Sequence, residues 1–479
     1  MRITSIDALR GFVMFCMIFV NDLDHVVPAW MKHYHGKSGM TFVDMVFPAF
    51  LFIVGMSIPF ALESRLNKVP LAPDSGLDKG GSVWETMFFI ALRALWLFGV
   101  GVLLFKWVEG ISVFNGWFFI WLAWIFIIPF LFARNLGYYR SEVTWRSLAH
   151  IVGRTLFLLG VGIMMVNNET PAPDGGNWSA KRWALMFFVS AIVARCSFSP
   201  RWLATSAWKR VFDFILELIR LYAIIILCSL AEDFQGADGK HIITLSPFSI
   251  NTEWYGILGL IGAAYFVGAV VFLIFRTNRT ALLGCVVLLM SLYAADKTGA
   301  FEGFALARYV SIGEMLGSHA AITVAGVLLA SILTKSGLAG NGARVRFTVL
   351  FIAGFATAAW LTTGLYGIVK NDATPAWCLW ACAFTAALWL GFYLLADAWP
   401  GSRASKLATP FCIAGQNVLL AYLLSELFPA VREWLDMDDW YSSLGHADVW
   451  HAVARSTGCA VFILSITAGL NRIGFRVRL

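Results

Sequence analysis

IDALRGFVMFCMIFVNDLDHVVPAWMKHYHGKSGMTFVDMVFPAFLFIVGMSIP, residues 6–59, consists of two apolar segments joined by a short polar loop. Each apolar segment is long enough to cross a bilayer as a helix. Between and at the edges of these segments stand Asn21, Asp22, Asp24, His25, Lys32, His33, His35 and Asp44. Ionisable groups are costly at membrane depth and mark function when they gather at one helix junction. The stretch therefore points both to a membrane fold and to a place for chemistry.

The composition agrees with a membrane fold. Of the 479 residues, 59% are hydrophobic and only 14% are charged. A soluble chain carries about 25% charge, so the pattern reads as an all-α, polytopic membrane helix bundle. The 21 Trp and 40 Phe suit interfacial belts and lipid-facing surfaces. The net charge of +7 is read loop by loop as topology, and nucleic acid is not an expected partner. No cleavable signal segment is expected, because the first helix carries Asp7 and Arg10 and has no small-residue cleavage site after it. The eight cysteines sit in or beside apolar segments, lack metal-ligand spacing, and read as reduced thiols.

Apolar runs place spans at 5–22, 44–62, 85–106, 115–133, 149–166, 180–199, 212–230, 254–275, 280–294, 318–334, 345–367, 375–396, 407–429 and 453–471. The runs at 212–230 and 280–294 are the weakest, so the expectation is twelve to fourteen transmembrane helices. Lys and Arg concentrate in alternate loops, for example Arg134, Arg140 and Arg146, or Lys335, Arg344 and Arg346. By the positive-inside rule both termini are cytoplasmic, and the loop holding His33 is extracytoplasmic. No soluble domain interrupts the pattern, so residues 1–479 read as one membrane domain with a core motif at 1–62.

A weak repeat relates IALRALWLFGVGVLL (90–104) to IVGRTLFLLGVGIMM (151–165). Each copy carries an arginine, Arg93 or Arg154, in its cytoplasmic third, and Arg10 has a similar depth in the first helix. Such arginines must face protein, water or an anion. Pairing with Asp7, Glu63 or Glu85 is one reading. The other is a cationic funnel for a phosphorylated ligand, since guanidinium grips phosphate bidentately.

At the opposite face, Asn21 closes the first span and Asp44 opens the second, so an antiparallel pair brings their ends together. His33 lies midway between them and can fold back to either. An imidazole near its ordinary pKa of about 6.5 accepts a proton at neutral pH. A carboxylate would fix its tautomer, and an Asn amide could orient a carbonyl. Ser318 and His319 open another span on the same side, Glu253 and Trp254 could hold a sugar by hydrogen bonding and stacking, and Asn417 lies within an apolar segment.

The pattern IDALRG…MIFVND…WMKH…GMTFVDMVFPAFLFIVGMSIP resembles the N-terminal core of the heparan-α-glucosaminide N-acetyltransferase family and its bacterial relatives. Fainter likeness continues at WYGILGLIGAAY (254–265), GSHAAITVAGVLL (317–329), ATPAWCLW (373–380) and GQNVLLAYLL (415–424). The resemblance implies a transmembrane acyltransferase. It would take acetyl groups from cytoplasmic acetyl-CoA and place them on an amino sugar or glycan across the membrane. It also implies His33 as the catalytic base or acetyl carrier, with Asp44 and Asn21 beside it. Because His33 is followed here by Tyr34-His35-Gly36-Lys37, His35 is a rival base. Arg10, Arg93 and Arg154 would hold the CoA phosphates, and His319, Ser318, Glu253, Trp254 and Asn417 would contact the acceptor. A bacterial inner membrane with a periplasmic acceptor side, lipid partners and a homodimer are the accompanying expectations, with no metal. The competing class is a secondary transporter or flippase for a sugar or lipid-linked substrate.

Overall fold

The computed structural model describes residues 3–23, 27–66, 86–87, 90–91, 93–94, 97, 243–245, 248–250, 256–308, 310–334, 337–398 and 403–472. They form helix α1 (Thr4–Asp22), α2 (Val46–Leu66), α3 (Gly256–Phe275), α4 (Arg279–Lys297) and α5 (Ala320–Ala330). These are followed by α6 (Asn341–Tyr366), α7 (Pro375–Tyr393), α8 (Arg403–Ala414), α9 (Val418–Trp434), α10 (Asp438–Ser443) and α11 (Val449–Arg472). Eight helical segments among the described residues are long and apolar enough to cross a membrane, or nine if α8 and α9 form one bent span. The chain is an all-α, multi-pass membrane protein. The nine correspond to the spans expected from 5–22 and 44–62 and from 254 onward. The weak run at 280–294 becomes a full 19-residue helix, α4. The spans expected from 115 to 230 lie outside the described residues, as does most of 85–106.

The chain divides into two compact units. One comprises Leu104–Trp254, Glu426–Met437 and Leu470–Leu479, and its described part includes a short antiparallel hairpin that pairs Ile243 with Ile250. The other comprises Met1–Leu103, Tyr255–Ser425 and Asp438–Gly469. The rest of the architecture below belongs to this second unit.

At its centre stands α5, every residue of which is buried. Its sequence, AAITVAGVLLA, is apolar on all faces, as a helix surrounded by protein must be. A π-helical segment, Ile312–His319, leads into it. Two glycine pairs let helices approach closely. A Cβ on Gly55 of α2 would fall on the Thr323 carbonyl of α5, and one on Gly326 of α5 would fall on the Phe52 carbonyl of α2. Likewise Gly11 of α1 lies on the Phe411 carbonyl of α8, and Gly415 lies on the Asp7 carbonyl.

Both ends of α1 are tied. At its start the Asp397 carboxylate accepts the Thr4 and Ser5 N–H groups at 3.2 and 3.0 Å, placing an anion at the positive end of the helix dipole. At its end Asp22 accepts the Tyr441 hydroxyl at 2.9 Å and the Ser456 hydroxyl at 2.9 Å. Arg455 donates to the Asp22 carbonyl at 2.6 Å and pairs with its carboxylate at 3.4 Å. Burial and the neighbouring carboxylate push the Tyr441 phenol well above its ordinary range, so it serves as a neutral donor. These ties fix the point from which the His33 loop departs.

Candidate active site

The loop between α1 and α2 makes a single 3₁₀ turn at Ala29–Met31 and another at Val43–Met45, where α2 begins. Asp44 sits in the second turn with its side chain only 2% exposed. A buried carboxylate must have its lone pairs satisfied, and the loop supplies the donors. Oδ2 accepts the Tyr34 N–H at 3.1 Å and the Thr41 N–H at 3.0 Å, with the Thr41 hydroxyl oxygen 3.3 Å away. Thr41 Oγ1 also donates to the Lys32 carbonyl at 2.6 Å. Asp44 and Thr41 thereby draw together the two arms of the loop around His33.

The remaining oxygen, Oδ1, meets His33 Nδ1 at 2.8 Å. The His33 side chain is 47% exposed. With Nδ1 turned to the carboxylate, Nε2 is the nitrogen left for a substrate. This is the pairing expected from the sequence. Among the described residues His35 is exposed and makes no hydrogen bond or ion pair, whereas His33 is held by Asp44. Asn21, at the exposed end of α1, bonds to neither His33 nor Asp44.

A third group was missed from the sequence. Lys370 Nζ lies 3.0 Å from His33 Nδ1 and 3.6 Å from Asp44 Oδ1. Burial pushes its ammonium below the usual lysine range, with the Asp44 charge partly opposing. Lys370 stands in the α6–α7 loop, which is held by several bonds. Thr374 Oγ1 donates to the Gly367 carbonyl at 3.0 Å and accepts the Val369 N–H at 3.1 Å. Ala373 donates its N–H to the Lys370 carbonyl at 3.0 Å and has a positive φ of 48°. The His33 loop docks on it directly: Ser38 Oγ accepts the Ile368 N–H at 2.9 Å, and the Gly39 N–H reaches the Ile368 carbonyl at 2.9 Å. The signal lay three residues upstream of ATPAWCLW, a stretch already notable in the sequence.

The other expected residues fall elsewhere. Ser318 and His319 are buried in the π-helical segment. The His319 ring packs edge-on against Phe47 and Trp377, at 5.5 and 6.2 Å between ring centres. Its Nδ1 and the Trp377 Nε1 have no hydrogen-bond partner among the described residues. Phe47 is three residues past Asp44, so His319 lies behind the site rather than at its mouth. Asn417 is buried at the break where α8 and α9 meet at 76°. Its neighbour Gly415 packs on the start of α1, away from His33.

Arg10 Nη1 donates to Asp7 at 3.2 Å and to the Gly415 carbonyl at 3.3 Å, while Nη2 donates to Ser57 Oγ at 2.6 Å. This is the pairing alternative raised by its sequence. The Arg93 guanidinium stacks over the Tyr265 ring at 4.8 Å, and its buried Nε has no partner among the described residues. Arg154, Glu253 and Trp254 lie outside the described residues.

Next to the site an apolar cavity of about 530 Å³ is lined by α1, α2 and α7, including Phe12, Cys16, Ala49 and Leu388. Thr41 and Phe42 of the His33 loop form part of its wall.

Comparison with known proteins meets the same region. Residues 2–74 match the family described as "Domain of unknown function (DUF5009)". That segment contains both His33 and Asp44, but not Lys370. The chain is also 30% identical over 103 residues to human heparan-alpha-glucosaminide N-acetyltransferase. The likeness covers 22% of this chain and 14% of the human protein. It is distant kinship with a membrane acetyltransferase. Together with the helical membrane fold, it fits a transmembrane acyltransferase.

Proposed function

We propose that the protein is a transmembrane acetyltransferase that moves an acetyl group from acetyl-CoA to an amino sugar or glycan on the far side of the membrane. The observation that carries this reading is the 2.8 Å contact between His33 Nδ1 and the buried Asp44 carboxylate. It is the base-and-orienter arrangement that acyl transfer requires. The human relative's name supplies the reaction class, and the charge bias of the loops supplies the sidedness. The protein then lies in a bacterial inner membrane, CoA enters from the cytoplasm, and the acceptor meets His33 in the periplasm. A homodimer, as the resemblance implies, is part of the same reading.

In the reaction, Nε2 of His33 takes a proton from the acceptor's neutral amine or hydroxyl as that group attacks the thioester carbonyl carbon. The new C–N or C–O bond forms, the C–S bond breaks, and the imidazolium returns its proton to the departing CoA sulfur. Asp44 holds Nδ1–H and stabilises the imidazolium in between. Of the three arginines expected at the CoA phosphates, Arg93 has a donor without a partner among the described residues, whereas Arg10 is held by Asp7, Ser57 and Gly415.

The test uses purified protein, radiolabelled acetyl-CoA and a panel of amino sugars. Acceptor-dependent CoA release with label on the sugar supports the reading. Sugar flux into vesicles without CoA release overturns it in favour of a transporter. An acetyl group recovered on His33, with ping-pong kinetics, would make the imidazole a carrier rather than a base.

A further inference from the structure

His33 Nδ1 offers one position for one hydrogen bond, and two groups stand at that position. Asp44 Oδ1, at 2.8 Å, can only accept, so it needs a proton on Nδ1. The Lys370 ammonium, at 3.0 Å, can only donate, so it needs the Nδ1 lone pair. Both demands cannot be met at once. A neutral imidazole with Nδ1 as acceptor carries its proton on Nε2 and has no lone pair to offer a substrate. One with Nδ1–H on Asp44 has Nε2 free.

We infer that Lys370 is a positioning residue that sets the tautomer of His33, holding the ring in a resting form while charged and releasing it to the basic form on losing its proton or leaving Nδ1. The inference rests on the reading of His33 as the base. It adds a control on that base which neither the sequence motif nor the comparisons contain.

The surroundings support such a control. Among the described residues, the His33 ring is hydrogen-bonded or ion-paired to Asp44 and Lys370. The other charged or titratable groups close in the chain are Lys32, Tyr34, His35 and Lys37 on its own loop and Asp372 beside Lys370. Asp44 cannot turn away, because Oδ2 is occupied by Tyr34 and Thr41. The residues before Lys370 are held by Thr374 and Ser38, and the Lys370 carbonyl by the Ala373 N–H. What can change is the proton between Lys370 and His33. On release, the ammonium passes a proton to Nδ1 and becomes an amine, while the Nε2 proton leaves to water from the exposed edge. The pair loses one proton in total. Burial already lowers the affinity of Lys370 for its proton, so the exchange falls below the ordinary lysine range.

The experiment is ¹⁵N NMR of the full chain with labelled histidine in lipid nanodiscs, with His33→Gln identifying the His33 signal. In the wild type the ring carries Nε2–H at neutral pH and converts to Nδ1–H as pH rises. In Lys370→Met it carries Nδ1–H wherever it is neutral, and in Lys370→Arg it stays Nε2–H into the alkaline range. Acetyl transfer follows: Lys370→Met gains several-fold at neutral pH, and Lys370→Arg loses about tenfold without alkaline recovery. The same His33 tautomer in all three proteins overturns the inference, as does equal loss of activity in both variants, the mark of a loop brace. Should Lys370→Met fail to fold, Lys370→Arg against the wild-type pH series decides alone. The NMR reading needs no turnover. A His33 that switches in a protein that transfers no acetyl group would sink the proposed function and leave the tautomer control standing.

Discussion

His33 and Asp44 are eleven residues apart in the chain and 2.8 Å apart between Nδ1 and Oδ1. The contact joins an exposed base to a buried carboxylate, so its two members respond differently to substitution.

Replacing His33 removes the base and leaves the scaffold. His33→Ala is expected to lower acetyl transfer by about 10²–10⁴-fold, the usual worth of a general base. Its melting temperature in detergent should fall only slightly, because Lys370 stays near the Asp44 oxygen that loses its partner. His35→Ala should retain most activity. Full activity in His33→Ala, measured as CoA release, would remove this residue from the mechanism.

Asp44 has a structural duty as well. Asp44→Asn keeps the volume but offers Oδ2's donors a weaker acceptor and can present an N–H to Nδ1. Transfer should fall by more than tenfold, and stability by about 1–3 kcal/mol for disturbed buried hydrogen bonds. Denaturant melts alongside rates separate the two effects.

Lys370 makes stability depend on pH. Its proton affinity is lower in the folded protein than in the unfolded chain, chiefly through burial. Between the two values the unfolded chain binds more protons, so stability rises with pH in a window ending near the ordinary lysine value of about 10.4. Wild type should gain stability relative to Lys370→Met as pH climbs through that window. Parallel or diverging melting curves in the opposite sense would contradict the burial argument.

The close helix contacts make a packing prediction. Gly55→Val would drive side-chain atoms into the Thr323 carbonyl, and Gly326→Val into that of Phe52. Each should cost about 1–3 kcal/mol or prevent folding. Gly354→Ala, with no described atom within 4 Å of its missing Cβ, should be tolerated. Thermal melts of the three proteins compare them directly.

Releasing the far end of α1 tests whether the loop depends on its anchor. Tyr441→Phe or Ser456→Ala removes one donor to Asp22 and should cost about 1–2 kcal/mol. KM for the acceptor should change more than the pH profile, because His33's own partners remain.

The helices and the His33–Asp44 pair were legible because both follow from local pattern. Hydropathy marks apolar runs, and a short loop between two antiparallel helices can fold back on the helix start it leads into. Lys370 was not legible, because it comes from a loop 337 residues away and its distance to His33 is set by tertiary packing. Arg10 shows a second limit. Its depth in α1 was readable, but its partners Ser57 and Gly415 depend on how α2 and α8 cross that helix. Asn21 is expected beside His33 from its place at the end of the first span and from the family resemblance, and here it bonds to neither His33 nor Asp44. The last turn of α1 faces Asn21 outward and directs Asp22 to Tyr441 and Ser456 instead.

The two anchors of α1 bear on how substrates come and go. A helix gripped at Thr4 and Ser5 by Asp397, and at Asp22 by Tyr441, Ser456 and Arg455, behaves as a strut. It cannot rock about its middle without breaking one set of bonds. On the proposed function, exchange at His33 is then a local affair of two interlocked loops, Ser38–Gly39 against Ile368. A reaction run on a stationary frame needs a passage for its reactants, and not a cycle of the frame itself.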